Sequence, residues 1–309
     1  MILSLLLALA FQLGPEQQVP VSGNHSQHII AGNVHAYTSS NTSYMWTEGS
    51  TPIKIYSGSF KSDHPAITAD GWSACHVRYS GLGNSSTSGM VPILRLPQGN
   101  QAVVSNTSET AFDPVIQKMP DGSIWVAYTG SWGMHLYVSH MRLDGAWDVR
   151  DLLISNINTK SHHPDIGLAR GLIVIVWEEH SGPNGPHIAM RSIKPNGSMT
   201  PISKLGGQQA YHPSLAIHKR GFIGVAWRQT NGQVRQSIAY PFGKTISSSV
   251  FAGNGKDVKL AWDHDDLEPA ILAPNNTVTL RGITFAATEV GSWDGTYIAY
   301  NRGGNSYWR

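Results

Sequence analysis

One short phrase recurs along the chain at nearly constant spacing: a polar residue, a proline, a variable residue and then isoleucine or leucine. It reads His64-Pro-Ala-Ile, Asp113-Pro-Val-Ile, His163-Pro-Asp-Ile, His212-Pro-Ser-Leu and Glu268-Pro-Ala-Ile, at intervals of 49, 50, 49 and 56 residues. After each of the first four comes a glycine and then an apolar stretch: WSACHVRY from Trp72, SIWVAY from Ser123, LIVIVW from Leu172 and FIGVAW from Phe222. These stretches end in Tyr79, Tyr128, Trp177 and Trp227. A third segment follows in the best-preserved copies, then a glycine turn and a fourth segment such as WDVRDLLI. A unit of about fifty residues with four strand-like segments stacks only on copies of itself.

Four antiparallel strands repeated at this period describe the blade of an all-β propeller, in which sheets pack face to face around a central channel. Proline fits the start of a strand because it has no N–H to give to a ladder. The ends are less regular. Gly32 to Ile55 reads as a shortened first blade and Glu268 to Arg309 as the last, which makes six blades, or five if the two ends combine into one. The expected layout is a single propeller over residues 24–309, preceded by an apolar N-terminal segment, 1–23. The opening MILSLLLALAFQLG is too short to span a bilayer. Its Ala8-Leu9-Ala10 has the form of a signal-peptidase site, so the segment reads either as an export signal or as an apolar tail that docks on an assembly partner.

Composition narrows the partners. Lys plus Arg number 22 and Asp plus Glu 20 in 309 residues, so no strong field exists to hold nucleic acid or an anionic membrane. With the single cysteine Cys75 no intrachain disulfide can form, and stability must come from burial and strand pairing. Asn-x-Ser/Thr triplets at Asn24, Asn41, Asn84, Asn106, Asn196 and Asn275 mark surface loops.

The blade phrase resembles the sialidase-like six-bladed propellers and their bacterial neuraminidase repeats. Leu143-Asp-Gly-Ala-Trp147 and Ser292-Trp-Asp-Gly-Thr-Tyr297 are shortened echoes of that family's Asp box. The resemblance implies the architecture over residues 24 to 309. It carries over no catalytic residue, because the nearest match to the family's first arginine motif, Arg95-Leu96-Pro97, falls in an outer strand of the second blade. Phe112-Asp-Pro-Val with Asp121-Gly-Ser-Ile-Trp also resembles the arabinanase-type glycosidases, and shared blade grammar explains that match without shared chemistry.

The residues before the prolines, His64, Asp113, His163, His212 and Glu268, are all titratable. If the strands that bear them line the channel, they converge on one mouth, either as hydrogen-bonding joints between blades or as a site for a sugar, a metal or a proton transfer. Glu178, Glu179 and His180 add acid–base groups at a strand end. Aromatic rings that suit a sugar face stand outside the repeated packing position at Trp132, Tyr211, Trp262 and Trp293. The loop Asp263-His-Asp-Asp266 offers Asp263, Asp265 and Asp266 as oxygen ligands for a calcium ion, and no other cofactor is expected. The leading expectation is a recognition propeller, secreted or exposed on a cell surface or virus particle, that binds a glycan or partner protein through its rim loops. The alternative is a carbohydrate-active enzyme, a sialidase-like or arabinanase-like glycoside hydrolase.

Overall fold

The computed structural model describes residues 16–19, 25–58, 61–80, 88–105, 110–130, 135–183, 185–242, 249–263, 265–293, 298–303 and 305–308. The described residues form seven four-stranded antiparallel sheets. Their first strands are His25–Ala31, Lys61–Ile67, Phe112–Lys118, Lys160–Ala169, Ala210–Ile217, Asp257–Asp263 and Glu289–Trp293. Each packs against the first strand of the next sheet, and the seventh packs against the first, so the sheets close into a ring. The fold is a seven-bladed β-propeller.

The expected count of six is corrected by the two ends of the chain. Blade one is complete, with strands His25–Ala31, Val34–Ser39, Thr42–Thr47 and Ile53–Lys54. The region read as one final blade, Glu268 to Arg309, holds most of blade six and three strands of blade seven. Blade six runs from Asp257 to Ala286, and blade seven takes Glu289–Trp293, Ile298–Arg302 and Asn305–Trp308. The outer strand of blade seven is Gln17–Gln18, with Gln17 opposite Trp308 and Gln18 opposite Tyr307. Glu16 accepts hydrogen bonds from Tyr300 and Arg302. The propeller therefore includes residues 16–19, inside the stretch expected to precede it, and closes by pairing the two ends of the chain. Residues 1–15, with the signal-like or docking segment, lie outside the described residues. Among the described residues no helix is long and apolar enough to cross a membrane.

The prolines stand inside the first strands, and not at their starts. In blades two to five the ladder between first and second strands breaks at Asp63/Ala66, Phe112/Val115, His162/Asp165 and Tyr211/Ser214. Each break is a bulge that takes up the polar residue and its proline, and a residue released from the ladder owes it no N–H. Blade one has the same bulge at Ser26/Ile29, with Gln27-His28 in place of His-Pro. Blade six has none. Glu268-Pro269 lies in its second strand, Asp266–Leu272, with Glu268 opposite Ala261, so Glu268 does not belong to the ring expected from the repeat.

The second strands supply the core between blades. Tyr128, Trp177 and Trp227 are fully buried there, Trp177 in the cluster between blades three and four and Trp227 in the one between blades four and five. The side chain of Tyr79 lies outside the described residues. Trp177→Ala or Trp227→Ala should cost about 3 to 5 kcal/mol, the usual result of emptying a buried aromatic site. Denaturant titration checks this, and a loss below about 1 kcal/mol would contradict the packing.

Candidate functional site at the channel mouth

The five bulges share one backbone conformation. Gln27, His64, Asp113, His163 and His212 have φ of 54°, 51°, 51°, 50° and 50°, a left-handed geometry that side-chain-bearing residues rarely adopt. Neighbouring blades hold it in place. The His64 N–H donates to Gln27 Oε1 at 2.8 Å, the Gln27 N–H to Glu289 Oε1 at 3.0 Å, and the His212 N–H to Glu178 Oε2 at 3.1 Å. In each case a side chain of the preceding blade satisfies the N–H that the bulge frees. All five residues line a central cavity of about 450 Å³. The ring therefore contains four of the five expected residues, with Gln27 of blade one in the fifth place.

A second tier stands behind the first. The second-strand residue opposite the start of each bulge is Thr38, His76, Thr129, Glu178 and Arg228 in blades one to five. The first strand's strained residue thus faces the cavity with a second-strand side chain behind it. Two polar groups result.

In blades four and five, Glu178 Oε2 lies 3.3 Å from His163 Nδ1, and Glu178 Oε1 lies 2.6 Å from His180 Nε2. The His163 and His212 rings are 4.3 Å apart, and His162 meets the edge of His180 at 5.3 Å. Exposure divides the roles: the side chains of His163 and His180 are 45% and 36% exposed, that of Glu178 only 4%. Burial alone would raise the Glu178 pKa. Hydrogen bonds from His163, the His212 N–H and His180 outweigh burial and lower it to about 2, so the carboxylate stays ionised. Burial, with the His163 ring beside it, lowers the His212 pKa and favours its neutral form. Glu179 turns to the other face of the sheet and pairs with His187 and the Trp177 indole.

In blades two and three, His64 Nε2 lies 3.4 Å from Asp113 Oδ1, and the His64 ring stacks on the buried His76 at 4.6 Å. One ligand atom from each of His64, His76 and Asp113 lies within 4.8 Å of the others, and the same holds for His163, Glu178 and His212.

The remaining candidates are dispersed. Tyr211 stands beside His212 under the Arg228 guanidinium, which lies 5.6 Å from its ring. Trp262 donates to the Ala216 carbonyl and packs on His218, so it is a joint between blades five and six. Trp293 is buried in blade seven at the cavity wall. Trp132 lies outside the described residues. In the acidic loop, Asp265 is held 2.9 Å from His218, with Lys219 and Arg220 at 3.9 Å, a cationic setting that opposes a calcium ion. Asp266 is exposed, and the side chain of Asp263 lies outside the described residues.

No family model and no curated protein matches this sequence. Solved structures do. A streptogramin B lyase superposes with a TM-score of 0.58 at 10% identity, covering 95% of this chain and 96% of the other. An ulvan lyase, from a polysaccharide lyase family, gives 0.58 at 10% identity over 94% and 95%. The Hadza microbial sialidase Hz136 gives 0.52 at 10% identity over 89% and 72%. At this identity the likeness is one of fold, and it supports a β-propeller.

Proposed function

We propose that the chain is a carbohydrate-active propeller enzyme that cleaves a uronate-containing polysaccharide by β-elimination, with His163 as general base. The observation that carries this reading is the His163–Glu178 pair: an imidazole facing the cavity, with a buried, ionised carboxylate 3.3 Å from its Nδ1. Such a carboxylate holds the ring in one tautomer and balances the charge that forms when Nε2 takes a proton. Hydrolysis by two carboxyls needs a pair facing each other across the bond. At this mouth the half-exposed imidazole of His163 is backed by the buried carboxylate of Glu178, while Asp113, Asp257 and Glu289 bring carboxyls to other parts of the same cavity wall.

In the proposed reaction His163 Nε2 takes the proton on the carbon next to the uronate carboxylate. Those electrons form the carbon–carbon double bond as the glycosidic C–O bond breaks. The imidazolium then returns the proton to the departing oxygen. The ulvan lyase among the structural neighbours supports this reading.

Incubation with a panel of uronate polymers tests the reading. The expected result is ultraviolet absorbance from an unsaturated uronyl end together with new reducing ends. Reducing ends without that absorbance would mean hydrolysis, and binding without either would return the chain to the recognition propeller first expected from its sequence.

A further inference from the structure

We propose that His64, His76 and Asp113 form a binding site for one divalent transition-metal ion, zinc being the best match, between blades two and three at the channel mouth. The three groups supply two imidazole nitrogens and one carboxylate oxygen within 4.8 Å of one another. That donor set suits zinc, and three protein ligands leave a fourth position for water or substrate.

The spacing is informative. His64 Nε2 and Asp113 Oδ1 are 3.4 Å apart, at the long end for a hydrogen bond. Metal–ligand bonds of about 2.0 to 2.2 Å in a tetrahedron place two ligand atoms roughly 3.4 Å apart, so the pair is spaced as two ligands of one ion. His76 completes the set from the second strand, its ring stacked 4.6 Å from that of His64 and one of its nitrogens within 4.8 Å of the other two ligand atoms.

The backbone prepares the site. His64 and Asp113 occupy equivalent bulges, and the His64 N–H is tied to Gln27. Both side chains reach the cavity, 43% and 20% exposed, so the open coordination position faces the space where substrate would lie. The other triad is less suited. Both oxygens of Glu178 already accept hydrogen bonds, from His180 on one side and from His163 and the His212 N–H on the other.

The role of the ion rests on the lyase reading: it would hold the substrate carboxylate and take up the negative charge that develops there as the proton leaves for His163. Its binding does not rest on that reading.

The test is calorimetric titration of the full-length, chelator-treated chain with zinc chloride, with the visible spectrum of the cobalt(II) form as a second readout. Wild type should take up one ion. His64→Ala, His76→Ala and Asp113→Asn should each weaken binding at least roughly tenfold, the loss that even an outer partner of a metal ligand produces. Glu178→Gln should bind as wild type. If the buried His76 variant fails to fold, the two partly exposed positions still decide. A wild-type chain that takes up no zinc, full affinity in the His64 and Asp113 variants, or loss confined to Glu178→Gln overturns the site. Turnover that survives chelation overturns the carboxylate role. Zinc bound tightly with no turnover on any uronate polymer overturns the lyase reading and leaves the site standing.

Discussion

His163→Ala should lower turnover of a uronate polymer by roughly a hundred- to ten-thousand-fold, the range that a positioned general base contributes. The side chain is nearly half exposed at the cavity, so the variant should melt close to wild type. Glu178→Gln should cost a comparable factor for a different reason. The amide keeps the shape of the carboxylate and loses the charge that balances a protonated His163. Its stability should be measured alongside, because Glu178 also accepts from His180 and from the His212 N–H. Glu268→Gln is the matched control. It removes a carboxylate from the second strand of blade six and should leave turnover unchanged. A His163→Ala enzyme with wild-type turnover would exclude this imidazole as the base.

Acid should destabilise the fold in two steps with separate origins. His35 is buried between the Trp46 and Trp308 rings, at 4.7 and 4.6 Å, and burial lowers its pKa from 6.5 to about 4. A base whose folded value lies below its unfolded value binds its proton more readily when unfolded. The stability associated with neutral His35 is therefore complete above pH 6.5 and is lost as pH falls from 6.5 toward 4. A shift of that size is worth about 3 kcal/mol. Glu178 acts lower on the scale. Its folded value of about 2 lies below the ordinary 4.5, so its contribution is present above 4.5 and is lost as pH falls from 4.5 toward 2. Denaturant midpoints measured across this range should show the first slope in wild type and a flatter one in His35→Phe, which keeps a ring between the two indoles. An unchanged slope in that variant would move the transition to other groups.

Much of this architecture was legible because proline marks a backbone event. His64, Asp113, His163 and His212 announce themselves in the sequence since each precedes a proline that only a bulge or strand edge accommodates. Gln27 occupies the same bulge without a proline, so the repeated phrase does not include it. Glu268 has the proline and sits in a second strand, which the long interval of 56 residues before it already hinted. Blade seven was illegible for a physical reason: its strands come from opposite ends of the chain, and no local pattern joins Gln17 to Trp308. At the site, Glu178, Glu179 and His180 read from sequence as acid–base groups at a strand end. The meeting of Glu178 and His180 with His163 depends on the bulge, which shifts the ladder so that His162 pairs with Glu178 and His163 is released toward the axis. His76 is illegible in the sequence because a lone histidine in an apolar strand carries no spacing signal. Its place opposite Asp63, matching that of Glu178 opposite His162, emerges only once strands are paired.

The pairing of Gln17–Gln18 with Asn305–Trp308 also sets the order of events during synthesis. Blades one to six are each complete within a continuous stretch and can assemble as the ribosome delivers them, each new sheet settling on the last. Blade seven cannot. Its outer strand, Gln17–Gln18, emerges before blade one, and its third strand, Asn305–Trp308, emerges after blade six. Until Asn305–Trp308 has emerged, blades one to six form an open arc, with the apolar flanks of blades one and six bare and Gln17–Gln18 without its ladder partner. An arc of that kind exposes sheet surface and strand edge that a second nascent copy could cover, so the final four residues of the last strand decide whether each chain closes on itself or on its neighbour.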